Sequence, residues 1–182
     1  PLMFGQFAWL LVVAAIAVGG GLSLRPSEFK GLSQALQVVD SQVVAEVSSP
    51  LGLLTVVDSP TVPVRHAPGL SFNARHIPPE QLAVFTDADG MSAITRYDGN
   101  PESIAYLADV TAALPYKLLD QAEVLLLGAG GGDGVLMGLY HDAERIDAVE
   151  INPQMTAFVA HTYADFAGGI YDDPRVSALT AE

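Results

Sequence analysis

The chain has 182 residues, half of them hydrophobic, with 21 Asp and Glu against 8 Lys and Arg, a net charge of −13 and no cysteine. That charge argues against nucleic acid as a partner, because binding phosphates needs clustered Lys and Arg. The lack of cysteine excludes disulfides, thiolate metal sites and cysteine nucleophiles.

The length suits one domain and part of another, and the hydrophobic share points to a membrane element. Pro1 in place of a starting Met, and an apolar run broken off at Glu182, lead us to expect a piece of a longer chain. Leu2 to Leu24 carries no charged residue. A helix of about 23 residues would span roughly 34 Å, enough for a bilayer core, so residues 1–24 are expected to form a transmembrane helix. A signal peptide is the rival reading, but the basic leading region is missing and the apolar run is too long. Arg25 and Lys30 follow directly. By the positive-inside rule the rest of the chain is expected on the cytoplasmic side of the cell membrane.

Residues 25–100 read as a small β-rich N-terminal domain. Val43–Val47 and Leu53–Val57 flank a Pro/Gly turn, which predicts a hairpin. Leu82–Thr86 and Met91–Thr95 flank Asp87-Ala-Asp-Gly90, which predicts a second one. Pro60 to Pro79, with Arg65, His66, Arg75 and His76, reads as a loop. Two histidines ten residues apart, with no third ligand at helical or hairpin spacing, do not make a metal signature, and no metal is expected.

Residues 101–182 read as an α/β domain with a Rossmann-like parallel sheet, incomplete at its C-terminal end. Glu102 to Leu114 has apolar residues near helical spacing and is expected to stop at Pro115. Val124 to Leu127 reads as a strand buried on both faces. The run Gly128-Ala-Gly-Gly-Gly-Asp-Gly134 then turns the chain into a helix, Val135 to Tyr140. Such a turn brings free N–H groups and the helix dipole to a ligand. Ile146 to Glu150 is a second strand ending in a carboxylate, as in βαβ units whose acid takes ribose hydroxyls. Asn152-Pro153 starts a helix running to about Tyr163. Asp172-Asp-Pro-Arg175 is a turn, and Val176 to Thr180 a third strand.

The spacing of the glycines restricts the ligand. A dinucleotide fingerprint needs G-x-G-x-x-G, and the sixth position is Asp133 counted from Gly128 and Val135 counted from Gly130. The pattern present is G-x-G-x-G, at Gly128, Gly130 and Gly132. No Lys-Ser/Thr follows, so a P-loop fails as well. Asp133 would repel a pyrophosphate and suits a ligand carrying an amine or sulfonium. A ligand-free turn, with Asp133 as helix N-cap, is the alternative.

Leu126-Leu-Gly-Ala-Gly-Gly-Gly-Asp-Gly134, Ala148-Val-Glu-Ile-Asn152 and Tyr171-Asp-Asp-Pro-Arg-Val176 resemble the spermidine synthases, the polyamine aminopropyltransferases. That family has the class I S-adenosylmethionine-dependent methyltransferase fold. The resemblance covers about residues 105–182, with a weaker stretch at about 42–58. With the apolar segment ahead of it, the chain is similar to membrane-bound bacterial members. The resemblance implies transfer of an aminopropyl group from decarboxylated S-adenosylmethionine, as co-substrate, to a diamine such as putrescine, without a metal. By position it implies that Glu150 holds the ribose hydroxyls, with Ile151 beside it. Gly128, Gly130 and Gly132 would pack under the nucleoside, and Gln42 would touch it from the first hairpin. Glu182 would lie near the adenine amino group, Asp133 would hold the amine end of the aminopropyl donor or of the acceptor, and Tyr106 would face the amine substrate. The strand expected to bear the catalytic aspartate lies beyond Glu182. These residues alone are therefore expected to be inactive, with one side of the sheet uncovered. Family members are often homodimers, so the resemblance admits one here.

Leu107 and Ala108 follow Tyr106 where the family has a polar pair, which removes a diamine contact. Two further readings stay open: an S-adenosylmethionine-dependent methyltransferase on the same scaffold, and a non-catalytic nucleoside-binding membrane protein.

Overall fold

The structure is a computed structural model and describes residues 9–16 and 26–181. Most of the expected membrane span, and Glu182, lie outside the described residues. Residues 9–16 are helical, and Trp9, Leu10, Leu11, Val13 and Ile16 are exposed. Among the described residues no helix is long and apolar enough to cross a membrane.

A short helix α1 (Gly31–Ala35) leads into a four-stranded antiparallel sheet of β1 (Gln42–Ser49), β2 (Gly52–Asp58), β3 (Gln81–Thr86) and β4 (Gly90–Thr95), in sequential order. Both predicted hairpins form. Ser49 pairs with Gly52 across Pro50-Leu51, and Thr86 pairs with Gly90 across three residues. In the second turn Asp87 and Ala88 take left-handed backbone angles, φ 49° and 64°. This strain, unusual for a non-glycine, is held in place by the Asp87 carboxylate, which accepts from the Leu53 N–H at 3.0 Å. Residues 60–79 form no strand of their own.

The segment expected to be one helix over 102–114 is instead two 3₁₀ helices, Pro101–Asp109 and Thr111–Ala113. The break at Val110 has a tertiary cause. Leu70, in the proline-rich loop, forms a β-bridge with Val110 and pulls it into extended geometry. The Thr111 N–H then donates to the Gly69 carbonyl and the Ser71 N–H to the Asp109 carbonyl. Pro115 does not end a helix. It sits in the first turn of α2 (Leu114–Leu118), where its missing N–H costs nothing.

The parallel sheet consists of β5 (Glu123–Leu127), β6 (Arg145–Glu150) and β7 (Val176–Thr180), again in sequential order. α3 (Asp133–Tyr140) joins the first two strands. α4 (Pro153–Ala157), a π-helical turn (Phe158–Thr162) and α5 (Ala164–Ala167) join the second pair. Asn152 caps α4 as expected, its side chain accepting from the Gln154 N–H. The helical run ends at Tyr163 as expected, and the chain resumes directly as α5.

β5 is not buried on both faces. Leu125 and Leu127 are 63% and 78% exposed, while Val124 and Leu126 pack against the core. The strand lies at the sheet edge, with only one of its faces covered among the described residues. The two sheets share one core: Leu54, Val56, Val84 and Ile94 of the antiparallel sheet join Val135, Leu136, Ile146 and Phe158.

Candidate active site

The site grows from the glycine turn. Gly128, Gly130 and Gly132 all have positive φ, of 82°, 53° and 94°, conformations that cost an L side chain strain. The surroundings of the turn differ from residue to residue. A Cβ on Gly128 would meet nothing within 4 Å, so this glycine borders open space. A Cβ on Gly130 would come 2.5 Å from Ser92 Oγ, and one on Gly132 would come 2.6 Å from Ile170 Cδ1. Of the three glycines expected beneath a ligand, only Gly128 borders free volume. Gly131, which the sequence did not single out, is the most confined. A Cβ there would lie 1.9 Å from the Ala93 carbonyl oxygen, and its N–H donates to Ser92 Oγ at 2.9 Å. The glycine run thus has two surroundings: Gly128 borders open space, while Gly131 lets β4 lie directly on the turn.

Glu150 ends β6 and is buried. Its Oε2 accepts from the Gly130 N–H and its Oε1 from the Asn152 N–H, both at 2.9 Å. Each carboxylate oxygen keeps a second lone pair. The group is therefore oriented by backbone and can still accept from ligand hydroxyls. Burial, and next the Glu150 charge, push the Tyr171 hydroxyl up to about 12, which keeps it a neutral donor beside the carboxylate. Ile151 is exposed at the strand end. Gln42 is exposed at the start of β1, opposite Asp58 on β2. The Asp58 charge adds to burial in raising the Tyr163 hydroxyl, so this end of the hairpin faces the end of the π-helical turn.

Asp133 opens α3, with Gly132 in the N-cap position and no side-chain cap bond. Its carboxylate instead reaches across to the other sheet, where Thr95 Oγ1 donates to Oδ1 at 2.8 Å. Desolvation pushes Asp133 up to about 6, opposed by the Thr95 hydrogen bond. Thr95 is in turn oriented by Gln81, whose Nε2 donates to Thr95 Oγ1 at 2.9 Å and to the His66 carbonyl at 3.0 Å. Tyr106 completes the group. Burial, and then the nearby Asp133 charge, push its hydroxyl up to about 12. Ser92, Thr95 and Gln81 were not foreseen, because 38 to 52 residues separate them in sequence from Asp133.

Asp133, Tyr106 and His66 all line a cavity of about 580 Å³ between α3, β5 and the 3₁₀ segments. Among the described residues no three His, Asp or Glu side chains converge as a metal site requires.

No family model and no curated protein matches the sequence. Among solved structures, a spermidine synthase from Thermotoga maritima is similar with a TM-score of 0.48 and 16% identity, over 78% of this chain and 42% of that one. A spermidine synthase in complex with the transition-state analogue AdoDATO is similar with a TM-score of 0.48 and 15% identity, over 78% of this chain and 41% of that one. The chain spans about two fifths of the length of these structures.

Proposed function

We propose that the chain carries the donor site of an aminopropyltransferase of spermidine synthase type, using decarboxylated S-adenosylmethionine and an amine acceptor. The observation that carries this reading is the pairing of two carboxylates on either side of the glycine turn. Glu150, fixed by two backbone N–H groups, is suited to ribose hydroxyls next to the open space at Gly128. Asp133 supplies negative charge where amine groups would gather. In the reaction the acceptor nitrogen's lone pair forms a bond to the propyl carbon attached to sulfur. That carbon–sulfur bond breaks, its electron pair neutralises the sulfonium to a thioether, and the new ammonium gives up one proton to a base. Carboxylates contribute by aligning the amines and drawing off charge.

A methyltransferase would use the donor that keeps its α-carboxylate, which Asp133 would repel. Titrating the protein with the two donors separates the readings. We expect decarboxylated S-adenosylmethionine to bind at least about tenfold tighter, equivalent to about 1.4 kcal/mol; tighter binding of the carboxylated form would overturn the proposal. In the same titration Glu150→Gln should weaken either donor, since an amide cannot accept from both backbone N–H groups and from ribose hydroxyls.

We further propose that residues 2–24 anchor the protein in the cell membrane with the donor site on the cytoplasmic side, as the uncharged run followed by Arg25 and Lys30 suggests. The expected result is that the protein stays in the membrane pellet after alkaline carbonate washing. Release into the wash would end the anchoring proposal without touching the donor site.

A further inference from the structure

Gln81 opens β3 and Thr95 ends β4, and the two face each other across the second hairpin. Both are 1% exposed, so their polar atoms depend on partners within the protein. The Gln81 amide has a fixed use for each end. Its Oε1 accepts from the His66 N–H, and its Nε2 donates to the His66 carbonyl and to Thr95 Oγ1. A hydroxyl carries one proton. With Gln81 donating to it, Thr95 directs that proton to Asp133 Oδ1. The result is a hydrogen-bond chain with one direction, from the backbone of the proline-rich loop to the carboxylate after the glycine turn.

The same loop, residues 60–79, is fastened at a second place. Leu70 bridges Val110, the Thr111 N–H donates to the Gly69 carbonyl, and the Ser71 N–H donates to the Asp109 carbonyl. Gly69 permits this approach: it has φ +76°, and a Cβ there would run into Thr111 Oγ1. The Arg65 guanidinium donates to the Pro78 carbonyl and closes the loop on itself. Seating and the hydrogen-bond chain depend on each other. If the loop lifts, Gln81 loses both His66 partners, and a buried amide without partners is driven to seek others, which takes its donor from Thr95. Conversely, a cation held against Asp133 favours the charged carboxylate. That strengthens the Thr95 bond and, through it, the bond from Gln81.

We propose that Gln81 and Thr95 are positioning residues for Asp133 that couple the seat of the loop over residues 60–79 to ligand binding, so that a cation at Asp133 and the seated loop stabilise each other. The proposal rests on the transferase reading and deepens it by naming what governs the donor site. Such coupling is reciprocal, so it can be measured from either end.

Amide hydrogen exchange at His66 and Ser71, whose N–H groups hold the loop, reads the seat in the whole protein. Saturating decarboxylated S-adenosylmethionine is expected to slow that exchange at least about fivefold, and 5′-methylthioadenosine, which has the nucleoside but no amine, less than about twofold. Thr95→Val should abolish the difference between the two ligands. It should also move the Asp133 titration, followed at the side-chain carbon by NMR, above about 6, because it removes the hydroxyl that opposes desolvation there; Tyr106 beside it stays neutral over this range. Thr95→Ser should restore both, which a role in packing alone would not predict. From the loop's end, Gly69→Val is expected to weaken the decarboxylated donor at least about fivefold and methylthioadenosine less than about twofold. Equal protection by both ligands, or an undiminished difference in Thr95→Val, would overturn the coupling and leave the transferase reading standing. A protein that binds neither ligand loses both.

Discussion

Asp133→Asn is expected to stabilise the protein at pH 7 by about 3 kcal/mol while weakening its hold on cationic ligands. The Asp133 carboxyl is raised from 3.8 to about 6, chiefly because desolvation disfavours its charged form, and each unit of such a shift is worth about 1.4 kcal/mol. The direction with pH follows from proton linkage. Below about pH 3.8 the group is protonated whether the chain is folded or not, and it contributes no difference. Between there and about pH 6 the unfolded chain loses the proton and the folded chain keeps it, so stability falls as pH rises. Above about pH 6 the penalty is complete. Asparagine keeps an oxygen that can accept from Thr95 Oγ1 and never ionises, so the gain should be full at pH 7 and vanish near pH 4. Urea unfolding of both proteins across that range measures it. A gain that does not change with pH would mean the carboxylate is not desolvated. A fold that tolerates such a cost at one residue fits a group kept for binding.

The sequence made the local features legible and left the distant contacts hidden. The two hairpins were readable because Pro/Gly and Asp-Gly turns between β-branched runs have few alternatives. The Asn152 cap and the glycine turn were readable because a few consecutive residues determine them. The helix over 102–114 failed because Leu70 pulls Val110 into a bridge, a contact 40 residues away that no apolar spacing can reveal. The apolar run predicts Leu125 and Leu127 as buried, yet such a run shows only that a strand can be covered, not whether each face is. The expected position of Pro115 failed for a subtler reason: proline marks a helix boundary equally well from the inside of a first turn. At the site, Asp133 and Glu150 were found through the motif. Thr95, Gln81 and Ser92 became visible only when β4 was laid against the turn, since Thr, Gln and Ser in strands carry no signature of the carboxylate they orient.

That contact between β4 and the turn carries the other large effect. Gly131→Ala is expected to destabilise the protein by about 1–3 kcal/mol, the usual cost of forcing a methyl group into a packed interior, and to reduce donor affinity as well. The added Cβ would lie 1.9 Å from the Ala93 carbonyl oxygen, 2.4 Å from its carbon and 3.0 Å from the Ile94 nitrogen. These are backbone atoms of a strand held by its ladder to β3, so no side-chain rotation can relieve the clash. The strand and the turn must separate. Separation would stretch the Gly131 N–H to Ser92 Oγ and Thr95 Oγ1 to Asp133 hydrogen bonds together, loosening the carboxylate that faces the cavity. Gly128→Ala is the informative contrast. It has φ +82° but nothing within 4 Å of its Cβ, so its cost is the left-handed strain of about 1–2 kcal/mol, and its methyl projects into the space assigned to the nucleoside. In Gly128→Ala, then, donor affinity should fall while Asp133 keeps its raised pKa; in Gly131→Ala that pKa should drop back toward 3.8 as water enters. Titrating the Asp133 side-chain carbon by NMR in both variants, beside urea unfolding, tells the two apart. An unchanged Asp133 titration in Gly131→Ala would show that the turn and β4 are not held together by this contact.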